Sequence, residues 1–419
     1  MTVLAHGVGG SSDLPLPLDL VLQAGAATVV LSFLISAVWW RKPRLAAGVP
    51  RTVRTAGWLP VLRGFVLLLA LYLGGNALAG PAGPENPAAH ALFVWLWVGL
   101  VPVSVVFGPV WRAVNPLRTL FRMLRLPAAG LRPGAGLGVW PGVCWLLAFV
   151  WFELVAPGHA DPRLIGWCLA GYAVAQLGMA ALRGEEWFAR GDCFEVYSSL
   201  AGRLSPVRWR RPLSGLAAPL PHSSAGLPSA GLAAFVAVWW GSTVFDSASG
   251  SPWWAGFVQR AGHPAVWATM ALVALCLGVW VAVRKTAGDL DVAASLIPIA
   301  VGYTLAHYLS LLIVEAPRGV LLLTRQWGLG EGVSWNVVPV PAAIAGAQVA
   351  LILVGHVLGV IVAHDAALAG AARPVGVRRA GAVTEAGPKP VLATLAEEFP
   401  LVLFMIGCTW AGLFLLFVR

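Results

Sequence analysis

Ionisable side chains within apolar segments are the residues of this sequence best suited to chemistry. His307 lies within one such segment, and Glu315 follows eight residues later near its outer end. An unbroken α-helix, which turns 100° per residue, would place these two side chains within about 80° of each other. Because an ionisable group in hydrocarbon costs several kcal/mol, it needs a partner, a water-filled cavity or a function. We therefore expect His307 and Glu315 to line one cavity that opens outward.

An acid and several hydroxyl groups form a second candidate group at the end of another apolar segment. Asp246 stands in the loop VFDSASGSPWW at 244–254, and Glu153 ends a further segment on the same predicted side. With His6, near the N-terminus, these residue types are able to bind a divalent metal that activates water. The predicted catalytic residues are His307, Glu315 and Asp246. In this hypothesis His307 or Glu315 acts as the base, and His6 and Asp246 serve as ligands or positioning groups.

Two further histidines lie along another apolar segment. His356 is within it, and His364, followed by Asp365, comes eight residues later, where the helix is expected to meet the cytoplasm. The predicted metal-binding residues are His6, His307, His356 and His364, for a divalent ion of unspecified identity. Helix rise separates His307 and His356 by roughly 10 Å in depth, so one ion would reach both only with tilt or unwinding. Graded depths also fit a stepped proton or ion route, and a transporter or metal-handling protein is the alternative hypothesis.

The histidines of this second segment also have a structural interpretation. An imidazole hydrogen-bonded to a neighbouring helix explains His356 equally well. Gly355 and Gly359 flank it with the small-residue spacing that is typical of close helix packing. His364 and Asp365 are interpreted as a solvated helix end, where a charge needs no special explanation.

The elements that must position these residues are membrane-spanning helices. Of 419 residues, 58% are hydrophobic and 11% charged, and the mean hydropathy is +0.79, whereas about a quarter of an average soluble domain is charged. The apolar residues come in blocks of about twenty, the length that a helix needs to cross a bilayer. The sequence therefore predicts an all-α, polytopic transmembrane bundle of about ten helices. The segments are near 18–40, 60–79, 90–111, 139–156, 164–182, 231–245, 264–283, 292–314, 340–363 and 399–418.

Basic residues crowd the loops after the first, third, fifth, seventh and ninth segments, which the positive-inside rule places in the cytoplasm. This predicts both termini outside, an extracytoplasmic segment at 1–17, nine helices within 18–364, a flexible cytoplasmic loop at 365–398 and a tenth helix at 399–419. The net charge of +10 is divided among separate loops, which argues against nucleic acid as a partner. The expected surroundings are the plasma membrane lipids, with a small-molecule substrate.

Two inner segments, at 107–121 and 192–211, look amphipathic. We interpret them as interfacial helices whose arginines meet anionic headgroups. A GxSxG elbow, a phosphate loop and a dinucleotide fingerprint are absent from the sequence, which removes several enzyme classes. Because no specific catalytic motif is present, a structural membrane protein without chemistry is a third hypothesis.

Several stretches of the chain resemble a known family. They are AHGVGGSSDLPLP at 5–17, WRAVNPLR at 111–118, AHYLSLLIVE at 306–315 and VGHVLGVIVAHDAAL at 354–368, together with the loop at 244–254. They are similar to actinobacterial membrane proteins of the fenitrothion hydrolase-like family, over most of the chain. The resemblance implies hydrolysis of an organophosphate triester, and it brings no set of catalytic residues with it.

Overall fold

The structure is a computed structural model that describes residues 14, 17–45, 49–51, 57–131, 137–211, 213–217, 230–287, 293–371 and 391–417. Within these ranges the regular structure is helical, and the only extended pairing is an isolated bridge between Pro50 and Trp209. This agrees with the predicted all-α fold. His6 and most of the predicted N-terminal segment lie outside the described residues.

The helices follow one another as apolar blocks separated by short loops. The first half of the chain contains α1 (Leu18–Trp39), α2 (Trp58–Ala79), α3 (His90–Phe107), α4 (Val110–Val114), α5 (Pro116–Met123), α6 (Trp140–Leu154), α7 (Pro162–Arg183), α8 (Phe188–Gly191) and α9 (Cys193–Ala201). The second half contains α10 (Ala230–Ser249), α11 (Pro252–Ala261), α12 (Pro264–Ala287), α13 (Ala293–His307), α14 (Leu309–Arg325), α15 (Pro341–Ala371) and α16 (Val391–Phe417).

Seven of the described helices are long and apolar enough to cross a membrane, namely α1, α2, α3, α7, α12, α15 and α16. The pair α13 and α14 adds an eighth span if it is counted as one bent crossing, and α6 is a shorter apolar helix of 15 residues. These helices are compatible with an integral membrane protein in contact with lipid.

Three boundaries differ from the sequence expectation. The predicted straight segment at 292–314 is broken at Tyr308, which leaves helical geometry (φ −97°, ψ 10°), so that α13 and α14 meet at 63°. α10 continues to Ser249, so Asp246 belongs to a helix rather than to a loop. α15 extends to Ala371 and α16 begins at Val391, which makes both ends of the predicted 365–398 loop helical, while 372–390 lie outside the described residues.

Glycine allows α13 and α15 to pack with their backbones in contact. A Cβ atom on Gly355 would lie 2.6 Å from the carbonyl oxygen of Pro298, and one on Gly302 would lie 2.6 Å from that of Leu351. A Cβ atom on Gly359 would likewise lie 2.8 Å from the Ser295 carbonyl oxygen. Close approach of this kind requires small residues. The predicted packing role of Gly355 and Gly359 is confirmed.

Candidate functional site

A hydrogen-bonded cluster joins the last turns of α10 and α13. His307 Nε2 lies 2.8 Å from Asp246 Oδ2, and His307 Nδ1 lies 3.0 Å from Ser247 Oγ. The histidine is only 1% exposed. Two consecutive residues of α10 therefore hold both ring nitrogens of one imidazole, which fixes its orientation inside the bundle.

Two tyrosines complete this cluster. The Tyr308 hydroxyl donates to Asp246 Oδ2 at 3.0 Å, and the Tyr303 hydroxyl lies 2.9 Å from Ser247 Oγ. Tyr303 and His307 share a helix face because they are four residues apart. Tyr308 occupies the break between α13 and α14, where its OH reaches the same carboxylate as the histidine. We call Asp246, Ser247, Tyr303, His307 and Tyr308 the His307 cluster.

The helices are held in register around this cluster by polar contacts between their buried faces. The Trp239 indole of α10 donates to Thr304 Oγ1 of α13 at 2.9 Å, and the Gln348 amide of α15 donates to the Ala306 carbonyl oxygen at 2.9 Å. Both contacts lie within one turn of His307. They position the imidazole from two sides, which is how neighbouring helices fix a functional side chain.

The order of groups in the His307 cluster matches a nucleophile, a base and an orienting acid. Because an ionised Asp246 has no proton to donate, its hydrogen bond with His307 requires an Nε2–H, which fixes the tautomer and leaves Nδ1 to accept a hydrogen bond from the Ser247 hydroxyl. A serine within 3.0 Å of an imidazole whose other nitrogen binds a carboxylate has the geometry for nucleophilic catalysis. The same groups are also able to pass a proton along hydrogen bonds.

A second buried acid lies near the cluster. Glu153, in the last turn of α6, is close enough for the charges of Glu153 and Asp246 to act on each other, and it also acts on Tyr197 of α9. Among the described residues, neither Glu153 Oε2 nor the Tyr197 hydroxyl has a hydrogen-bond partner. Three of the residues singled out in the sequence, Glu153, Asp246 and His307, are therefore brought into one region.

Glu315 lies outside the His307 cluster and pairs with residues of α3 and α14. Its carboxylate lies 3.0 Å from His90 Nε2, at the start of α3, and also binds Arg318 one turn along α14. No contact joins it to His307 in the part of the chain that the structure describes. The predicted alignment of the two residues fails because the 63° bend at Tyr308 turns α14 away from the axis of α13. His90 was not recognised in the sequence, where it merely opens an apolar segment.

The other histidines predicted to bind a metal do not join the His307 cluster in the part of the chain that the structure describes. His356 Nδ1 donates to the Ile352 carbonyl oxygen at 2.8 Å, whereas its Nε2 has no partner among the described residues. No three His, Cys, Asp or Glu side chains of the described chain come together as a metal site would require. His6 lies outside the described residues, and a metal bound with its help stays a prediction.

His364 and Asp365 fasten the loop after α1 to α15. His364 Nε2 donates to the Trp40 carbonyl oxygen at 2.9 Å, while Asp365 Oδ1 accepts from Trp40 Nε1 at 2.8 Å and from the Arg44 amide at 2.6 Å. The two side chains are buried. Their interpretation as a solvated helix end is therefore wrong, since their partners come from a loop about 320 residues earlier.

A buried polar cluster that the sequence did not reveal lies between the two inner segments. Arg118 of α5 donates from Nε and Nη2 to the two carboxylate oxygens of Glu195, both at 2.7 Å, and from Nη1 to Glu185 at 3.0 Å. α9 packs against α3, α4 and α6, and most of its residues are buried. The interpretation of 192–211 as an interfacial helix is therefore wrong for α9. One sequence feature could have indicated this cluster. The stretches WRAVNPLR at 111–118 and DCFE at 192–195 carry opposite charges and are both predicted on the cytoplasmic side.

Asp192 organises this cluster by capping α9. Its Oδ1 accepts from the Phe194 amide at 3.0 Å and from the Tyr172 hydroxyl at 2.8 Å, and its Oδ2 accepts from Asn115 Nδ2 at 2.7 Å. Burial and the nearby Glu195 charge raise the pKa of Asp192 to about 6, against the lowering effect of hydrogen bonds from Tyr172, Trp111 and Asn115. The donors around Asp192 stabilise its ionised form, which accepts all of their hydrogen bonds.

No protein family, curated protein or solved structure matches this chain at a significant level.

Proposed function

We propose that this chain is a multi-pass plasma-membrane hydrolase of small uncharged esters, with organophosphate triesters as the class to test first. The observation that carries the proposal is the arrangement of His307, which lies 3.0 Å from the Ser247 hydroxyl and 2.8 Å from the Asp246 carboxylate. The sequence resemblance to fenitrothion hydrolase-like proteins supports the same chemistry. Uncharged triesters also partition into apolar surroundings, which suits a site enclosed by helices.

In the proposed reaction Ser247 Oγ attacks phosphorus while its proton passes to His307 Nδ1. The bond from phosphorus to the leaving alkoxide or phenoxide breaks, and the departing oxygen takes the proton from His307. Water then attacks the phosphoryl-serine with His307 again as base. The Ser247 oxygen leaves, regains its proton and releases the phosphodiester. Asp246 holds the imidazole in the required tautomer and stabilises its protonated form.

The topology that we propose has ten crossings with both termini outside. It counts the seven long apolar helices, α6, α10, and α13 with α14 as one bent crossing. Three polar contacts support it, because each joins two parts of the chain predicted on the same side of the membrane. These pairs are Arg118 with Glu195, Arg44 with Asp365, and His90 with Glu315.

Covalent labelling tests the proposed nucleophile directly. Detergent-purified protein should react with a fluorophosphonate probe at Ser247 and should hydrolyse a chromogenic phosphotriester. Ser247→Ala should abolish both, and His307→Gln should slow both by about 100-fold or more. Ser249→Ala and His356→Gln are matched controls, since they change another α10 serine and another buried histidine outside the cluster. An unlabelled wild type, or a Ser247→Ala variant as active as wild type, would overturn the proposal.

The second candidate is a proton-linked transporter or metal-handling protein that uses the intramembrane histidines. The observation favouring it is Glu153, a buried carboxyl group of α6 with one oxygen unpartnered among the described residues. Buried acids in membrane bundles often mark proton paths. In sealed vesicles under a pH gradient, wild type should then carry a proton flux that Glu153→Gln removes and Ser247→Ala leaves unchanged. A flux equal to that of empty vesicles would eliminate this candidate.

A further inference from the structure

A large apolar cleft opens between α2, α3 and α7. Its volume is about 1400 Å³, which exceeds the roughly 300–1,000 Å³ of pockets for small molecules. Leucine, valine and alanine side chains of the three helices line most of it, among them Leu67, Leu71, Leu96 and Leu169. A cleft of this size and character in a membrane protein suits a molecule with long hydrocarbon chains.

One end of the cleft is strongly basic. The short helices α4 and α5 close this end, where five arginines and two glutamates line it. The residues are Arg63, Arg112, Arg118, Arg122, Arg208, Glu185 and Glu186. By the positive-inside rule this end faces the cytoplasm. Arg118 is already paired with Glu195, but the four other arginines still outnumber the two glutamates. This excess of positive charge attracts a negatively charged group to the mouth of an otherwise apolar space.

Two of the lining arginines, Arg63 and Arg208, have no ion pair among the described residues, and Arg63 is the one that stands on the cleft helix α2. Arg118 and Arg122 both bind Glu185, at 3.0 and 2.6 Å. Arg63, half-buried in the second turn of α2, makes one hydrogen bond, from Nε to the Ala113 carbonyl oxygen at 2.7 Å. No ion pair of Arg63 is found among the described residues. Its two terminal nitrogens are thus available to an acceptor, and phosphate is the group that a guanidinium binds best through paired hydrogen bonds.

We propose that the cleft holds one anionic phospholipid of the cytoplasmic leaflet, with its phosphate on Arg63 and its acyl chains along α2, α3 and α7. The apolar length of the cleft accommodates the acyl chains, the terminal nitrogens of Arg63 donate hydrogen bonds to the phosphate, and the surplus of arginine selects a headgroup of net negative charge. The inference is independent of the proposed hydrolase, because none of the His307 cluster lines the cleft.

Native mass spectrometry of delipidated protein tests the proposal. The probes are phosphatidylglycerol and phosphatidylcholine with identical acyl chains. Wild type should bind one phosphatidylglycerol about fivefold more tightly than phosphatidylcholine, and Arg63→Gln should remove that preference. The control Arg284→Gln removes an exposed arginine that lies outside the cleft. This variant should keep the wild-type preference for phosphatidylglycerol.

A second variant fills the apolar part of the cleft. A Cβ atom on Gly74 meets nothing within 4 Å, and Gly74 lines the cleft, so Gly74→Phe should fold and weaken binding of both lipids. Gly64→Phe on the same helix is equally free of clashes and lies outside the lining, so it should bind as wild type does. Equal affinity for the two lipids, or wild-type binding by both test variants, would overturn the proposal. Displacement of phosphatidylglycerol by inorganic phosphate alone would also overturn it, because the site would then bind free phosphate. A dimer mass without lipid would overturn it too, because a second copy of the chain would then cover the cleft.

Discussion

Arg118 binds both carboxylate oxygens of Glu195 at 2.7 Å, with side chains only 5% and 1% exposed. The pair joins α5 to α9 across 77 residues of chain. In a buried pair of this kind each charge depends on the other, because either one left alone in the interior would strongly destabilise the fold. Asn115 and Glu185 extend the same network to α8 and to the end of α7. The result is a rigid polar layer at one end of the bundle.

Removal of one partner should therefore destabilise the protein more than removal of both. We expect Arg118→Met alone to cost roughly 3–5 kcal/mol, because it leaves a buried carboxylate unpaired. Arg118→Met combined with Glu195→Leu should recover part of that loss. Thermal unfolding in detergent measures the difference, and a double variant less stable than either single variant would contradict the argument.

The stability contributed by Glu185 should depend on pH. Burial alone would raise the pKa of Glu185, but hydrogen bonds and charges from Arg122 and Arg118 outweigh it and hold that pKa below its usual range. An acid with a lowered folded pKa stabilises the fold above its unfolded pKa and loses that contribution as pH falls through the folded value. The Tm difference between wild type and Glu185→Gln should thus be largest near about pH 6 and shrink towards about pH 3.

Glu186→Gln is the matched control for this pH series. Its side chain is 58% exposed and pairs with Arg112 at 3.4 Å, so its ion pair should contribute little at any pH. A Glu185→Gln variant whose Tm deficit grows on acidification would contradict the sign given above.

The glycine contact between α13 and α15 should tolerate no side chain. Gly355→Leu places atoms against the Pro298 carbonyl oxygen, only 2.6 Å from the new Cβ, so we expect loss of folded protein in detergent. Gly346→Leu on the same helix meets nothing within 4 Å and should be neutral or slightly stabilising. Size-exclusion profiles of the two variants separate these outcomes, and a well-folded Gly355→Leu protein would show that the helices move apart freely.

The orientation of the C-terminus tests the proposed topology. Ten crossings with both termini outside place the end of α16 on the extracytoplasmic side. Alkaline phosphatase fused after Arg419 should be active, whereas a green fluorescent protein fused there should stay dark. Fluorescence of the latter fusion would require an odd number of crossings or the opposite orientation.

The extent of the apolar helices was predictable from the sequence. Blocks of about twenty apolar residues can satisfy their backbone hydrogen bonds in a membrane only as helices, and α1, α2, α7 and α12 begin and end within a few residues of the predicted segments. The packing role of Gly355 and Gly359 was also predictable, because two glycines four residues apart lie on one helix face.

Within the candidate site, the sequence singled out His307, inside an apolar segment, and Asp246, in a predicted loop, but it did not show that they bond to each other. It counted Ser247 only as one of several hydroxyl groups in a predicted loop and gave it no role, because a serine costs little in a helix and carries no signal of its own. It paired His307 with Glu315 by helical periodicity, which holds only while the helix is straight. Tyr308 breaks that helix, and its OH bonds to Asp246 on a different helix.

By itself, then, the sequence determined that this chain forms apolar helices and which of their positions carry ionisable groups, because those properties depend on composition and local spacing. Only the tertiary structure decided the partners: His307 with Asp246 and Ser247, Glu315 with His90, and Arg118 with Glu195. Each partner comes from a distant part of the chain. Its position depends on how whole helices pack and bend, which no local pattern of residues encodes.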